Sequence, residues 1–182
     1  MTGVDATASG RRPIAVFSSA RRHGNTGQFI DFVAGELGID TIDLASVDMS
    51  PFDYEHRNRH DGFEPLMRRL LAFDQLIFAS PVYWYTVTAT MKVFLDRLSD
   101  YLELPDLLEE GRRLRGKQAY IVCTSICDEP PASFISTFVD TFEYLGMRYG
   151  GFAHANCEHG YLKERHDAGA AELIQRIRSC QA

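Results

Sequence analysis

The chain has 182 residues, 45% of them hydrophobic and 24% charged, with 19 basic residues against 25 acidic and a formal net charge of −6 at neutral pH. This is the composition of one ordinary globular domain with a full core, and the net negative charge gives no general basic field for nucleic acid; among the basic residues only Lys92, Lys117 and Lys163 are lysines. No apolar run approaches the ~20 residues of a membrane span, and four cysteines without a CxxC spacing are not a secreted disulfide scaffold, so the expectation is a cytoplasmic chain with reduced thiols.

In chain order, residues 1–12 lack the apolar core of a signal peptide and read as a flexible tail, leaving 13–182 as a single domain. Apolar runs predict strands at 13–18, 39–44, 75–80, 118–124 and 147–153. Between and after them lie five helical stripes: Phe29, Val33 and Leu37; Phe63, Leu66, Met67, Leu70 and Leu71; Met91, Leu95 and Leu98; Phe134, Phe138, Phe142 and Leu145; and Leu173, Ile174 and Ile177. The spacing of i, i+3, i+4 is that of one buried face, and strand–helix alternation specifies a parallel α/β sheet with helices on both sides. "IAVF", "LIFA" and "AYIVC" are apolar at successive positions, as central strands are. "IDTIDL" and "MRYGGFAHA" mix polar and apolar residues, as edges do. The doubly wound five-stranded order 2-1-3-4-5 satisfies both, and it puts a ligand crevice beyond the carboxyl ends of strands one, three and four.

Three turns meet there. "SSARRHGNTG" (18–27) leads from a strand into a helix, where unpaired backbone amides suit phosphate; Gly24 and Gly27 permit close approach, Ser19, Asn25 and Thr26 add polar groups, and Arg21 or Arg22 adds a forked cation. A helix cap beside solvated arginines is the plainer reading. The second turn, after Pro81 and Val82, holds Tyr83, Trp84 and Tyr85. Three consecutive aromatics cannot all enter one core, so at least one should face the crevice and stack on a planar ring, unless the loop is a hydrophobic plug or a subunit contact. The third, "TSICDEPP", brings Thr124 and Ser125 to the polar edge of such a ring, or simply caps the next helix at Ser125 or Asp128.

"SSARRHGNTG" resembles the GSxRxxGNT loop of the flavodoxin-like NAD(P)H-dependent FMN reductases, and "SPVYWYTVTATMKVFLDRL" (80–98) resembles their second signature, PxYw…K.F.DR. The resemblance covers about residues 13–155 and implies a flavodoxin-like fold with FMN as cofactor and NADPH or NADH as electron donor. Carried over by position, Ser19, Arg21, Asn25 and Thr26 hold the FMN phosphate, with Gly27 beside them, and Pro81, Val82, Tyr83, Trp84 and Tyr85 line the isoalloxazine. The backbone amides of Thr124–Ser125 would stabilise charge near N1 and the C2 carbonyl. No catalytic side chain is implied, because flavin N5 carries the chemistry. The expected reaction takes hydride from NAD(P)H and passes electrons to a small acceptor such as a quinone, in a homodimer. A flavodoxin-type electron carrier docking a protein partner is the alternative, and an FMN-free interaction module the third.

Two departures stand out. Ser18 occupies a position that is commonly glycine, and "LASVDMSPFDYEHRNRHDGF" lacks the cysteine motif of the iron–sulfur branch, so no such cluster is expected. "HANCEH" (154–159) sits at a strand end that suits three metal ligands poorly, and no metal is expected there. "EEGRRLRGK" (109–117) reads as a solvated link, its arginines being candidate contacts for a dinucleotide phosphate.

Overall fold

The computed structural model describes residues 12–181. The expected tail at residues 1–12 therefore lies, apart from Arg12, outside the described residues. Five parallel strands form one sheet in the order β2-β1-β3-β4-β5. They are β1 (Pro13–Phe17), β2 (Thr41–Asp43), β3 (Gln75–Pro81), β4 (Gln118–Ser125) and β5 (Arg148–Asn156). The helices are α1 (Asn25–Leu37), α2 (Phe63–Leu71), α3 (Ala89–Arg97), α4 (Asp100–Glu103), α5 (Leu108–Arg112), α6 (Ala132–Tyr144) and α7 (Lys163–Ser179). The doubly wound order and the two edge strands agree with the hydrophobic pattern.

Each central strand is buried on both faces because its alternate residues serve different layers. Ala15, Phe17, Ile77 and Ala79 pack with Phe29, Ile30 and Val33 of α1 and Leu173, Ile174 and Ile177 of α7. Ile14, Val16, Leu76 and Phe78 face the other layer, made of α2, α3 and α6. There the i, i+4 stripe of α6 seats Phe138 and Phe142 on Phe78, with ring centroids 5.9 and 5.1 Å away.

Three elements differ from expectation. β2 spans three residues, since the Asp43 carboxylate accepts the Ala45 amide at 3.0 Å and turns the chain into a 3₁₀ helix at Leu44–Ser46. β5 runs to Asn156 rather than 153, because His154, Ala155 and Asn156 still pair with Cys123, Thr124 and Ser125. The stretch read as a solvated link contains α5, and two of its basic residues, Arg113 and Lys117, cap α2. Arg113 donates to the Leu71 carbonyl at 3.2 Å, and Lys117 donates to the carbonyls of Leu71 and Phe73. Those groups precede β4, at the end of the sheet away from the crevice.

The polar loop between β2 and α2 is held from α3. The Arg97 guanidinium, wholly buried, donates to Asp61 at 2.5 Å, to the Ser50 carbonyl at 3.0 Å and to Asp100 at 2.7 Å, and lies over the Phe63 ring at 4.7 Å. Asp61 also accepts the amides of Ser50 and Phe63, each at 2.9 Å. Arg97 ends the second signature, and its work here is structural.

Candidate functional site

A crevice of about 410 Å³ opens beyond the carboxyl ends of β1, β3 and β4, within the range of small-molecule and cofactor sites. All three turns singled out in the sequence line it, and every site residue expected from the sequence does so except Gly27.

The β1–α1 turn supplies one end. α1 starts after Gly24, and no side chain caps it, so neither Asn25 nor Thr26 acts as the cap. The first-turn amides of a helix have no intrahelical acceptor and carry a partial positive charge, which leaves an anion-binding end facing the crevice. Ser19, Arg21, Gly24 and Asn25 surround that end. The two arginines divide the labour. Arg22 closes on Asp31 with hydrogen bonds of 2.6 and 3.1 Å and lies over the Phe17 ring at 5.0 Å, whereas Arg21 makes no ion pair among the described residues. Gly27 explains why the turn can fold this way. A Cβ there would sit 1.8 Å from the Arg22 carbonyl oxygen, so its lack of a side chain lets the loop lie against α1.

The two hydroxyl neighbours of the turn point inward. Ser18 Oγ pairs with Thr88 Oγ1 at 2.6 Å, and Thr88 in turn accepts the Met91 amide at 3.2 Å to cap α3. Thr26 Oγ1 meets Thr124 Oγ1 at 2.6 Å, both side chains being buried. This pair joins the first turn of α1 to the end of β4.

The β3–α3 turn supplies the apolar wall. Val82 donates its amide to the Thr124 carbonyl at 2.9 Å, and Tyr83 and Thr86 exchange two backbone hydrogen bonds of 2.9 and 3.1 Å. Between them Trp84 and Tyr85 have φ of 47° and 66°, the left-handed pair of a type I′ turn, which large L-residues adopt at a cost. Ser133 Oγ ties the Tyr85 carbonyl to α6 at 2.9 Å. Tyr83, Trp84 and Tyr85 are 42%, 92% and 67% exposed, so none is a core plug.

The β4–α6 turn closes the crevice. Ser125 Oγ accepts the Cys127 amide at 3.1 Å and lies 2.8 Å from His154 Nε2. α6 begins after Pro131 with no side-chain cap, so neither Ser125 nor Asp128 caps it. Ile126, Cys127, Pro131 and Cys157 also line the crevice and were not singled out as site residues. The first three follow directly from the expected turn, whereas Cys157 arrives through the longer β5, its amide donating to the Ser125 carbonyl at 2.7 Å. Burial pushes the Cys123 thiol up to about 12 and Cys157 up to about 11, so neither is a ready thiolate.

Residues 12–153 match the family of NADPH-dependent FMN reductases. The chain belongs to this family. It is accordingly a flavoenzyme reductase with FMN as cofactor and NAD(P)H as electron donor. Among its relatives is YwqN of Bacillus subtilis (strain 168), named as an NAD(P)H-dependent FMN-containing oxidoreductase, 29% identical over 150 residues that cover 76% of this chain and 82% of the relative. Its fold is shared by the Trp repressor binding protein of Bacillus subtilis, with a TM-score of 0.71, 22% identity and coverage of 93% of this chain and 99% of the other. An FMN-dependent NADH-azoreductase from Bacillus anthracis, solved with FMN, aligns with a TM-score of 0.66 at 9% identity, covering 94% of this chain and 100% of that one.

Among the described residues, no helix is long and apolar enough to cross a membrane.

Proposed function

We propose that this FMN reductase binds its cofactor with the phosphate at the first turn of α1, among Ser19, Arg21, Asn25 and Thr26, and with the ring between the Pro81–Tyr85 turn and Thr124–Ser125. One observation carries the reading: a single crevice is bounded at one end by a helix N-terminus without a side-chain cap, beside an arginine that has no ion-pair partner among the described residues, and along its length by an exposed aromatic turn. An anion and a planar ring on one ligand match those two features.

Bound FMN supplies acceptance of hydride and its release as electrons to a second substrate. The chain's part is to hold and orient. Arg21 and the α1 amides fix the phosphate, the turn at 83–86 sets one face of the ring site, and Ser125 meets the ring's polar edge. The acceptor is a small oxidised molecule such as a quinone, admitted to the open side of the crevice after the nicotinamide leaves. Trp84, Tyr85 and Ile126 would leave a broad apolar mouth in water, which supports a homodimer whose second copy covers it. The formal net charge of −6 and the four free cysteines favour a cytoplasmic enzyme acting on small molecules.

The deciding experiment is stopped-flow reduction of FMN-loaded protein by NADPH and by NADH, followed by reoxidation with a panel of quinones and other small oxidants. Fast reduction followed by rapid quinone turnover supports the reading. Reduction without turnover of any small acceptor would instead favour an electron carrier with a protein partner.

A further inference from the structure

Ser125 forms part of the crevice wall, and the imidazole behind it opens elsewhere. His154 belongs to β5 and lines a second, open groove with Asp128, Glu129, Phe152 and Gly169. Its Nε2 lies 2.8 Å from Ser125 Oγ. One side chain thus stands between a solvent groove and the proposed flavin site.

We infer that His154 is a positioning residue for that site: a proton on its Nε2 decides whether Ser125 offers its hydroxyl hydrogen to the polar edge of the flavin ring. The inference rests on the FMN placement proposed above, and it follows from counting hydrogens. Ser125 Oγ carries one hydrogen and two lone pairs. Its internal partners are the Cys127 amide, which donates at 3.1 Å, the Cys127 carbonyl, which can accept at 3.3 Å, and His154 Nε2. When Nε2 is bare, the hydroxyl hydrogen goes to it, the shorter of the two acceptor contacts, and Ser125 shows the crevice only a lone pair. When Nε2 is protonated it donates to Oγ, the Cys127 amide fills the other lone pair, and the hydrogen is released toward the long Cys127 contact or an acceptor in the crevice.

The groups facing the imidazole are Asp128 and Glu129 from the loop before α6 and His166 from α7. Burial, then the neighbouring His166, hold His154 below the ordinary imidazole value, while Asp128 and Glu129 pull it up. With its one hydrogen on Nδ1, the neutral ring that prevails near neutral pH leaves Nε2 bare to accept from Ser125. A ring carbonyl that accepts from Ser125 would favour the protonated form, so FMN binding should raise the pKa of His154, and lower pH should tighten FMN binding.

The test combines FMN titrations of wild-type, His154→Gln and Ser125→Ala apoprotein from pH 5.5 to 8.5 with nitrogen NMR of His154 in apo and FMN-loaded wild-type protein. The phosphate's own ionisation near pH ~6 is common to all three proteins and cancels in the comparison. Relative to either variant, wild-type affinity should gain about 3- to 10-fold on going to pH 5.5, the range of one neutral hydrogen bond. The NMR titration of His154 should move to higher pH with FMN bound. Identical pH profiles in all three proteins, an unchanged His154 titration, or a proton on Nε2 at pH 8.5 would overturn the inference. FMN binding with normal affinity but no such pH difference removes only the role of His154, whereas failure of wild-type protein to bind FMN at any pH removes the site and this inference with it. Should a variant not fold, the wild-type NMR comparison decides alone.

Discussion

Thr26 Oγ1 and Thr124 Oγ1 lie 2.6 Å apart and are buried, joining the first turn of α1 to the end of β4 across 98 residues of sequence. One hydroxyl donates and the other accepts, so neither can be removed without stranding its partner. Thr124→Val should therefore destabilise the protein by about 1–3 kcal/mol, the cost of a buried unsatisfied hydroxyl. The double variant Thr26→Val/Thr124→Val should recover part of that loss. Urea denaturation of the four members of this cycle measures the coupling; strictly additive losses would mean that the pair does no joint work.

The two arginines of the opening turn should separate cleanly. Arg21 is free to meet an anion, so Arg21→Ala should weaken FMN binding roughly 10- to 100-fold, as expected for a hydrogen bond to a charged group, with an unchanged melting temperature. Arg22→Ala breaks the fork to Asp31 and should lower the melting temperature before it touches affinity at the phosphate end. Calorimetric FMN titration with thermal melts checks both. Equal affinity of the Arg21 variant and wild type would move the phosphate elsewhere.

The loop before α2 should be acid-labile. Burial pushes the Asp61 carboxyl up, but the hydrogen bonds from Arg97, Ser50 and Phe63 outweigh it, and the net shift is downward. A depressed folded-state pKa contributes stability above the unfolded value of about 3.9, lost as pH falls through the folded one. Arg97→Met, which strands the buried carboxylates of Asp61 and Asp100, should cost about 3–5 kcal/mol at pH 7. The penalty should shrink near pH 3, as the stranded Asp61 carboxylate begins to take a proton. Denaturation midpoints at the two pH values report the difference, and a penalty independent of pH would assign Arg97 a packing role alone.

The contrast between Asp61 and the rest of the site shows what could be read from the chain. Sheet order, both edge strands and the three crevice turns follow from hydrophobic period and turn chemistry, which are local. The partners of Ser18, Thr26 and Asp61 lie 70, 98 and 36 residues away. A hydroxyl or carboxylate has no period, so its partner depends on the register of elements that only the folded sheet aligns. The end of β5 is hidden for a related reason: its continuation from residue 153 through Asn156 depends on pairing with β4. Trp84 and Tyr85 ran against local preference, since nothing in their side chains favours a positive φ.

Thiol chemistry offers an independent probe of the crevice. Cys127 is exposed and lines it, whereas Cys123 and Cys157 are buried with raised pKa values. A bulky maleimide should label Cys127 quickly and the buried pair only after unfolding, with Cys180, at the end of α7, serving as the reference outside the crevice. FMN should slow labelling of Cys127 and leave Cys180 unchanged. Equal rates with and without FMN, read by peptide mass spectrometry, would place the bound ring away from the β4–α6 turn.

The aromatic turn gives the sharpest test, because stability and function should move in opposite directions. Trp84 and Tyr85 hold left-handed backbone at the two central positions of the turn, and each large L-residue there costs about 1–2 kcal/mol against a residue that accepts the conformation. Their exposed side chains return little of that through burial. Trp84→Asn with Tyr85→Gly gives the pair that a type I′ turn prefers and should raise apoprotein stability by about 1–3 kcal/mol. If the turn forms the ring site, the same variant should bind FMN more weakly, shift the flavin absorption bands and slow single-turnover reduction by NAD(P)H, since the nicotinamide no longer meets an oriented ring. Tyr83→Ala isolates the residue nearest the end of β3; it should fold, keep the phosphate contacts and lose ring contacts. A stabilised double variant with wild-type spectrum and reduction rate, together with a Tyr83 variant equally unaffected, would leave the strain of this turn to a contact between subunits. Stabilisation accompanied by slowed reduction would tie that strain to the chemistry of the crevice.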